Sequence, residues 1–236
     1  MPESTKEVIV IIPAYNEGGR IAQVLCNVKK AMPQADLLVI DDGSTDTTEE
    51  ESRRFGAGVV SLMFNMGYGV ALQTGYKYAK EGGYRYILQI DADGQHEPEY
   101  LNNILKELKL DSADVIIGSR FMGTGSYRPT IVRRVGMLFF SFLTSIITKQ
   151  KISDSTSGFL GFNHKVLEFL TSEFFPIDYP DADSIVMIHR YGFRIKEVPV
   201  VMKAGTGKTM HSGLKPVYYV FKMLLSVFVT LLRKYR

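Results

Sequence analysis
At 236 residues, 45% hydrophobic and 22% charged, the chain has the length and composition of one large or two small globular domains, which excludes a disordered or fibrous protein. A formal net charge of +3 is too small to argue for nucleic acid, and the 13 tyrosines and 14 phenylalanines form no stacking array for it. The single cysteine, Cys26, excludes an internal disulfide and fits a reducing compartment. Residues 1–7 are polar and carry no secretion signal, and no stretch reaches the about 18 uninterrupted apolar residues of a conventional span.

The β-branched run at residues 8–12, closed by Pro13-Ala14-Tyr15-Asn16-Glu17-Gly18, predicts a buried strand and a loop. Apolar side chains at 21, 24, 25 and 28 then predict an amphipathic helix over 20–32. Residues 37–40 read as a second strand ending in Asp41-Asp42-Gly43-Ser44-Thr45-Asp46, and 47–55 as a helix with Asp46 as its candidate N-cap. Further strands are expected at 59–64, 84–90 and 114–118, with helices at 68–80 and 98–110. Strands alternating with helices predict an α/β fold with a mainly parallel sheet and right-handed crossovers. No glycine-rich phosphate loop follows the first strand, so phosphates must be held in another way.

The apolar run Tyr86-Ile87-Leu88-Gln89-Ile90 stops in Asp91-Ala92-Asp93-Gly94-Gln95-His96-Glu97-Pro98. Two neighbouring carboxylates repel unless a cation lies between them, and hard divalent ions take oxygen ligands. Asp91 and Asp93, with the amide oxygen of Gln95, are therefore candidate ligands for part of an Mg²⁺ or Mn²⁺ shell open to diphosphate oxygens. From these residues alone, a plain turn that ends a strand is as good a reading. In a parallel sheet the loops at Asn16-Glu17, Asp41-Asp42 and Asp91-Asp93 share one edge, where such sheets bind ligands.

Four motifs in this order, Pro13-Ala14-Tyr15-Asn16-Glu17, Asp41-Asp42-Gly43-Ser44, Asp91-Ala92-Asp93-Gly94-Gln95-His96 and Gly118-Ser119-Arg120-Phe121, resemble the inverting family 2 glycosyltransferases of GT-A fold. Within that family the chain looks most like the small polyprenyl-phosphate glycosyltransferases, such as the dolichyl-phosphate mannose and glucose synthases. The likeness runs over roughly residues 8–201 and includes Asp154-Ser155-Thr156-Ser157-Gly158-Phe159 and Glu197-Val198-Pro199.

The resemblance implies transfer of a sugar from a UDP- or GDP-linked donor to a polyprenyl phosphate, with Mg²⁺ or Mn²⁺. It implies that Pro13, Tyr15 and Glu17 line the base and ribose pocket, with Asp41 near them and Asp42 alternatively capping the next turn. Asp91, Asp93 and Gln95 match the metal and diphosphate ligands, and Arg120 and Arg134 match phosphate-binding positions, with Arg133 as an open alternative to Arg134. Asp154 and Ser157 would meet the acceptor or sugar, although Leu160 replaces a basic residue that many relatives carry. Asp181 and Asp183 both match the acidic region of the catalytic base, and both equally suit a helix N-terminus. Lys208, in a glycine-rich loop at 205–213, resembles the contact of a mobile loop over the donor diphosphate.

Residues 131–151 and 217–236 hold most of the remaining apolar mass. Ser141, Ser145 and Thr148 in the first, and Lys222, Ser226, Thr230 and Arg233 in the second, fall on one stripe of a helix. Both segments are expected to lie in a membrane interface, with packing on the core or an oligomer contact as the alternative. The expected organisation is a GT-A domain over 1–205 and a basic loop with an interface helix over 206–236. The protein is expected at the cytoplasmic membrane face, with a small integral-membrane partner or a second copy as further candidate partners. A family member that extends a surface polysaccharide, or a donor-binding module without catalysis, is the alternative function.

Overall fold
The β-branched run near the N-terminus becomes the middle of a sheet. In a computed structural model that describes residues 6–122, 131–173, 175–176, 180–203 and 215–232 (side chains of 131–133 and 215–219 excepted), β1 (Val8–Ala14) is buried along its whole length. Val8, Val10 and Ile12 enter one hydrophobic cluster and Ile9 and Ile11 the other, as the two-residue period of a strand covered on both faces requires.

Around β1 stand β2 (Asp36–Asp41), β3 (Gly58–Ser61), β4 (Tyr86–Gln89), β5 (Val115–Ser119), β6 (Leu160–Asn163) and β7 (Ile195–Pro199), in the order β3-β2-β1-β4-β6-β5-β7. The pairings β1 with β2, β1 with β4, β2 with β3 and β5 with β7 are parallel. β6, which periodicity did not reveal, is antiparallel to both β4 and β5. Several expected strand ends move: β4 is confined to Tyr86–Gln89, β2 gains one residue at each end and β5 shifts by one residue. β1 continues through Pro13 to Ala14, because the ladder with β4 ends at Ile11, so no partner there requires the missing proline N–H. β3 stops at Ser61, and Met63 and Phe64 beyond it are exposed.

α1 (Gly18–Ala31) and α4 (Leu101–Lys109) cover one face through Val24, Leu25, Val28, Leu101, Leu105 and Leu108. The expected helix over 98–110 starts instead with a 3₁₀ turn, Pro98–Tyr100. α3 (Tyr68–Glu81), α6 (His164–Leu170) and α7 (Ala182–Arg190) cover the other face through Leu72, Tyr76, Val166, Leu170, Ile185 and Ile188. α2 (Thr48–Phe55) packs on α1. The N-cap of α2 is Thr47 rather than the expected Asp46, which stands one position earlier and accepts from Thr48 N at 3.0 Å.

α5 (Ile131–Thr148) and α8 (Lys215–Leu232) both pack on α7, joined by a small cluster of Phe140, Ala182 and Met223. Their polar stripes face the protein. Ser141 Oγ donates to Ser153 O, Ser145 Oγ to Ile152 O, and Ser226 Oγ to the Asp183 carboxylate. Met137, Phe140, Met223 and Val227 are buried with them, but many large apolar side chains point outward: Val135, Leu138, Phe139, Phe142 and Ile146 on α5, and Phe221, Leu225, Phe228 and Leu232 on α8. Phe142 is 67% and Leu232 68% exposed, so each helix also presents an apolar face to its surroundings. Among the described residues no helix is long and apolar enough to cross a membrane.

Candidate active site
The loops after β1 and β2 are laced together at the carboxyl edge of the sheet. Asn16 N donates to Ser44 Oγ (2.9 Å), Glu17 N to Thr48 Oγ1 (2.8 Å) and Gly18 N to Asp46 Oδ2 (2.9 Å). Gly18 is needed there, since a Cβ would stand 2.4 Å from Thr47 Oγ1. Within this frame Pro13 is buried, Tyr15 is exposed, and Glu17 accepts from Arg20 Nε at 2.7 Å. Burial pushes the Glu17 carboxyl up despite Arg20, and the nearby Asp93 charge adds to the rise.

The two acids after β2 have separate tasks. Asp41 caps the following turn by accepting from Ser44 N at 3.1 Å. Asp42, offered above for that turn, instead accepts from Met66 N (2.7 Å) and Gly67 N (2.9 Å), and so holds the start of α3.

Asp91 lies at the end of β4, where Tyr68 Oη donates to its Oδ1 at 2.8 Å and His96 Nε2 stands 3.7 Å from its Oδ2. Burial works against the Asp91 charge, but the His96 and Tyr68 contacts outweigh it and hold the carboxyl below its usual range. Asp93 behaves oppositely, for burial and the charge of Asp91 push its carboxyl up. Gln95 N donates to Asp93 Oδ1 at 2.9 Å, and the Gln95 side-chain nitrogen donates to Oδ2. Gln95 therefore first orders Asp93. Two hard carboxylates of which one raises the other's proton affinity form a donor set suited to Mg²⁺ or Mn²⁺. Among the described residues no cluster of three His, Cys, Asp or Glu side chains stands ready to hold an ion alone.

Behind the acids His96 is buried, its ring stacked on Phe159 with centroids 4.8 Å apart, and its Nδ1 has no hydrogen-bond partner among the described residues. Gly158 closes the space, since a Cβ on it would lie 2.6 Å from Asp91 Oδ2 and 2.9 Å from Tyr68 Oη. Neither Tyr68 nor Gly158 was marked by composition or charge as a partner of Asp91. Only the Ser-Gly-Phe motif pointed to that loop.

Arg120 and Asp154, expected to meet phosphate and sugar, meet each other. Arg120 Nε and Nη2 donate to the Asp154 carboxylate, each at 2.6 Å, and Nη2 also reaches Thr156 O and Oγ1. Both side chains are buried, at 3% and 0% exposure. A bidentate pair in such a setting braces the loop that carries Gly158. Glu197 completes the brace by accepting from Ser153 N (2.8 Å) and Asp154 N (2.9 Å). Ser157, buried as well, donates to Gly118 O at 2.7 Å.

The two candidate bases separate. Asp181 lines a cavity of about 40 Å³ together with Tyr68, Gln89, Ser157 and Gly158. Asp183 is only 1% exposed and is turned to α8, where Ser226 Oγ donates to it. Burial pushes its carboxyl up to about 7. Arg134 is exposed in the first turns of α5, and Lys208 lies outside the described residues.

A mostly parallel sheet flanked by helices, with acidic loops gathered on its carboxyl edge, is the GT-A architecture of glycosyltransferases. Glucosyl-3-phosphoglycerate synthase from Mycobacterium tuberculosis, solved with Mn²⁺, UDP-glucose and phosphoglyceric acid, shares it. It aligns at a TM-score of 0.73 and 19% identity over 95% of this chain and 79% of that one. The family described as glycosyl transferase family 2 matches residues 9–171, and the chain belongs to it as a glycosyltransferase. Polyprenol monophosphomannose synthase of Mycolicibacterium smegmatis is 28% identical, covering 91% of this chain and 85% of its own. The UDP-N-acetylglucosamine–dolichyl-phosphate N-acetylglucosaminyltransferase of Methanococcus voltae is 29% identical, covering 83% and 85% respectively.

Proposed function
We propose that the enzyme transfers one sugar from a UDP- or GDP-linked donor to a polyprenyl phosphate, with inversion, as a peripheral protein at the cytoplasmic face of a membrane. The observation that carries this reading is the pair of outward apolar faces on α5 and α8, which flank the helix whose N-terminal end reaches the site. Such faces suit an acyl or isoprenoid environment and serve no purpose for a soluble glycan acceptor. Two relatives named for lipid-phosphate acceptors support the same choice.

In this reading Pro13 walls the nucleotide pocket, the exposed Tyr15 ring covers the base, and Glu17 and Asp41 meet the ribose side of the donor. Asp91 and Asp93 would hold Mg²⁺ or Mn²⁺, which would neutralise the departing diphosphate when bound. Tyr68, Gln95 and Gly158 keep those carboxylates in place. A polyprenyl phosphate is already an anion near neutral pH, so it needs orientation more than deprotonation. Arg134 supplies positive charge to that phosphate, and Lys208, outside the described residues, to the donor diphosphate. Asp181, which lines the cavity beside Tyr68 and Gly158, serves the acceptor side, and Arg120 acts through Asp154 on the loop.

The test incubates the enzyme with Mn²⁺, each labelled sugar nucleotide in turn and polyprenyl phosphate in detergent. The expected result is label entering the organic phase as an acid-labile product with one donor. Label that stays in water with every donor would overturn the reading.

A further inference from the structure
Asp183 is the acid whose surroundings fit least with direct chemistry. It sits in the first turn of α7, 1% exposed, and the cavity that Asp181 lines does not include it. Its Oδ1 accepts from Asp181 N at 3.1 Å and from Ser184 N at 2.8 Å. Its Oδ2 accepts from Ser226 Oγ, in the middle of α8. One carboxylate thus ties the backbone of Asp181 to a helix more than forty residues further along the chain, the Ser226 bond alone spanning 43 positions.

The tie lies in a dry setting. Ala182 packs with Phe140 of α5 and Met223 of α8, and Val227 is buried beside Ser226. On the other side of the same turn of α8, Leu225 and Phe228 face outward. A hydrogen bond to a buried carboxylate is among the strong ones, and this one joins the middle of α8 to the first turn of α7. A shift of α8 on whatever covers its outer face would therefore pass to the Asp181 backbone through this carboxylate.

We propose that Asp183 is a positioning residue that couples the seating of α8 to the placement of Asp181 at the site. For its kinetic readout the proposal rests on the lipid-phosphate transfer put forward above, whereas its exchange readout stands without it. The obvious variant, Asp183→Ala, would leave two amides unpaired and endanger the fold, so the test uses Asp183→Asn, Ser226→Ala and the double variant.

Hydrogen–deuterium exchange is measured at the amides of 181–185, and kcat and KM for donor and lipid are measured beside thermal unfolding. Ser226→Ala is expected to speed exchange at Asp181 and Ser184, to lower kcat about tenfold and to leave the donor KM unchanged. Asp183→Asn is expected to lose a similar factor, and the double variant no more than either single one. Unchanged exchange in Ser226→Ala, additive losses, or a melting shift with intact kcat would each overturn the proposal. So would a loss on the order of 10³-fold in Asp183→Asn with Ser226→Ala silent, because that is the signature of a base acting directly. If wild-type enzyme moves no sugar to lipid, the transfer reading fails and the exchange data alone decide this one.

Discussion

Replacing Gly158 by alanine tests whether the placement of Asp91 governs turnover. The added methyl would stand 2.6 Å from Asp91 Oδ2, whereas ordinary contact begins at 3.4 Å, so about 0.8 Å must be recovered (3.4 − 2.6). The loop has little freedom to retreat, since Phe159 beside it is fully buried and Arg120, Asp154 and Glu197 brace its other end. Asp91 must then give way, and it leaves the Tyr68 hydroxyl that holds it at 2.8 Å. A misplacement of about 1 Å at a reacting centre costs on the order of 10²-fold in rate, so a loss of roughly 40-fold in kcat/KM is expected. The assay is the initial rate of label transfer beside a thermal melt.

Gly161→Ala serves as the control. Its methyl would meet Ile104 Cγ2 at 2.5 Å and Leu88 Cδ2 at 2.8 Å in the core, so it should lower stability while folded enzyme keeps its rate. Wild-type rates in Gly158→Ala, or equal rate losses in both variants where both are folded, would refute the reasoning.

Asp93→Ala is expected to abolish transfer while circular dichroism and the melting curve stay close to wild type, and near-normal turnover would remove Asp93 from the site. Stability should also depend on pH through Asp183, whose carboxyl is held at about 7 in the fold against an ordinary 3.8. A raised carboxyl favours the folded state fully below about 3.8 and loses that contribution as pH rises through about 7. A rise from 3.8 to about 7 bounds the effect at about 4 kcal/mol, and urea unfolding of Asp183→Asn between pH 5 and 8 should show a flatter profile than wild type. Identical slopes would contradict it. Phe142→Ser combined with Phe228→Ser, both exposed, should reduce sedimentation with anionic vesicles at unchanged melting temperature, and equal sedimentation would argue against a lipid surface.

The alternating strands and helices of the first 120 residues were legible because each carries a local period or a turn signal. The acidic loops followed, since parallel strands bring their ends to one edge. What escaped was decided by partners distant in sequence. Arg120 reads as a phosphate ligand until Asp154, 34 residues away, is seen to take its guanidinium. Asp42 reads as a local cap, yet holds an amide 24 residues on. β6 is short, and it gains its place only by pairing with β4 and β5. In α5 and α8 periodicity gave the two stripes, but not which one faces the protein. The hydroxyls turned inward because Ile152 O and Ser153 O in the following loop, and the Asp183 carboxylate, accept their hydrogens.

The most direct measurement gives the enzyme a choice of acceptor. Labelled donor and Mn²⁺ are supplied with polyprenyl phosphate and a soluble glycan together, and the label is partitioned between organic and aqueous phases with and without chelator. The account expects label in the organic phase, lost on chelation and restored by added Mn²⁺. Label on the glycan, or lipid transfer indifferent to the chelator, would contradict it.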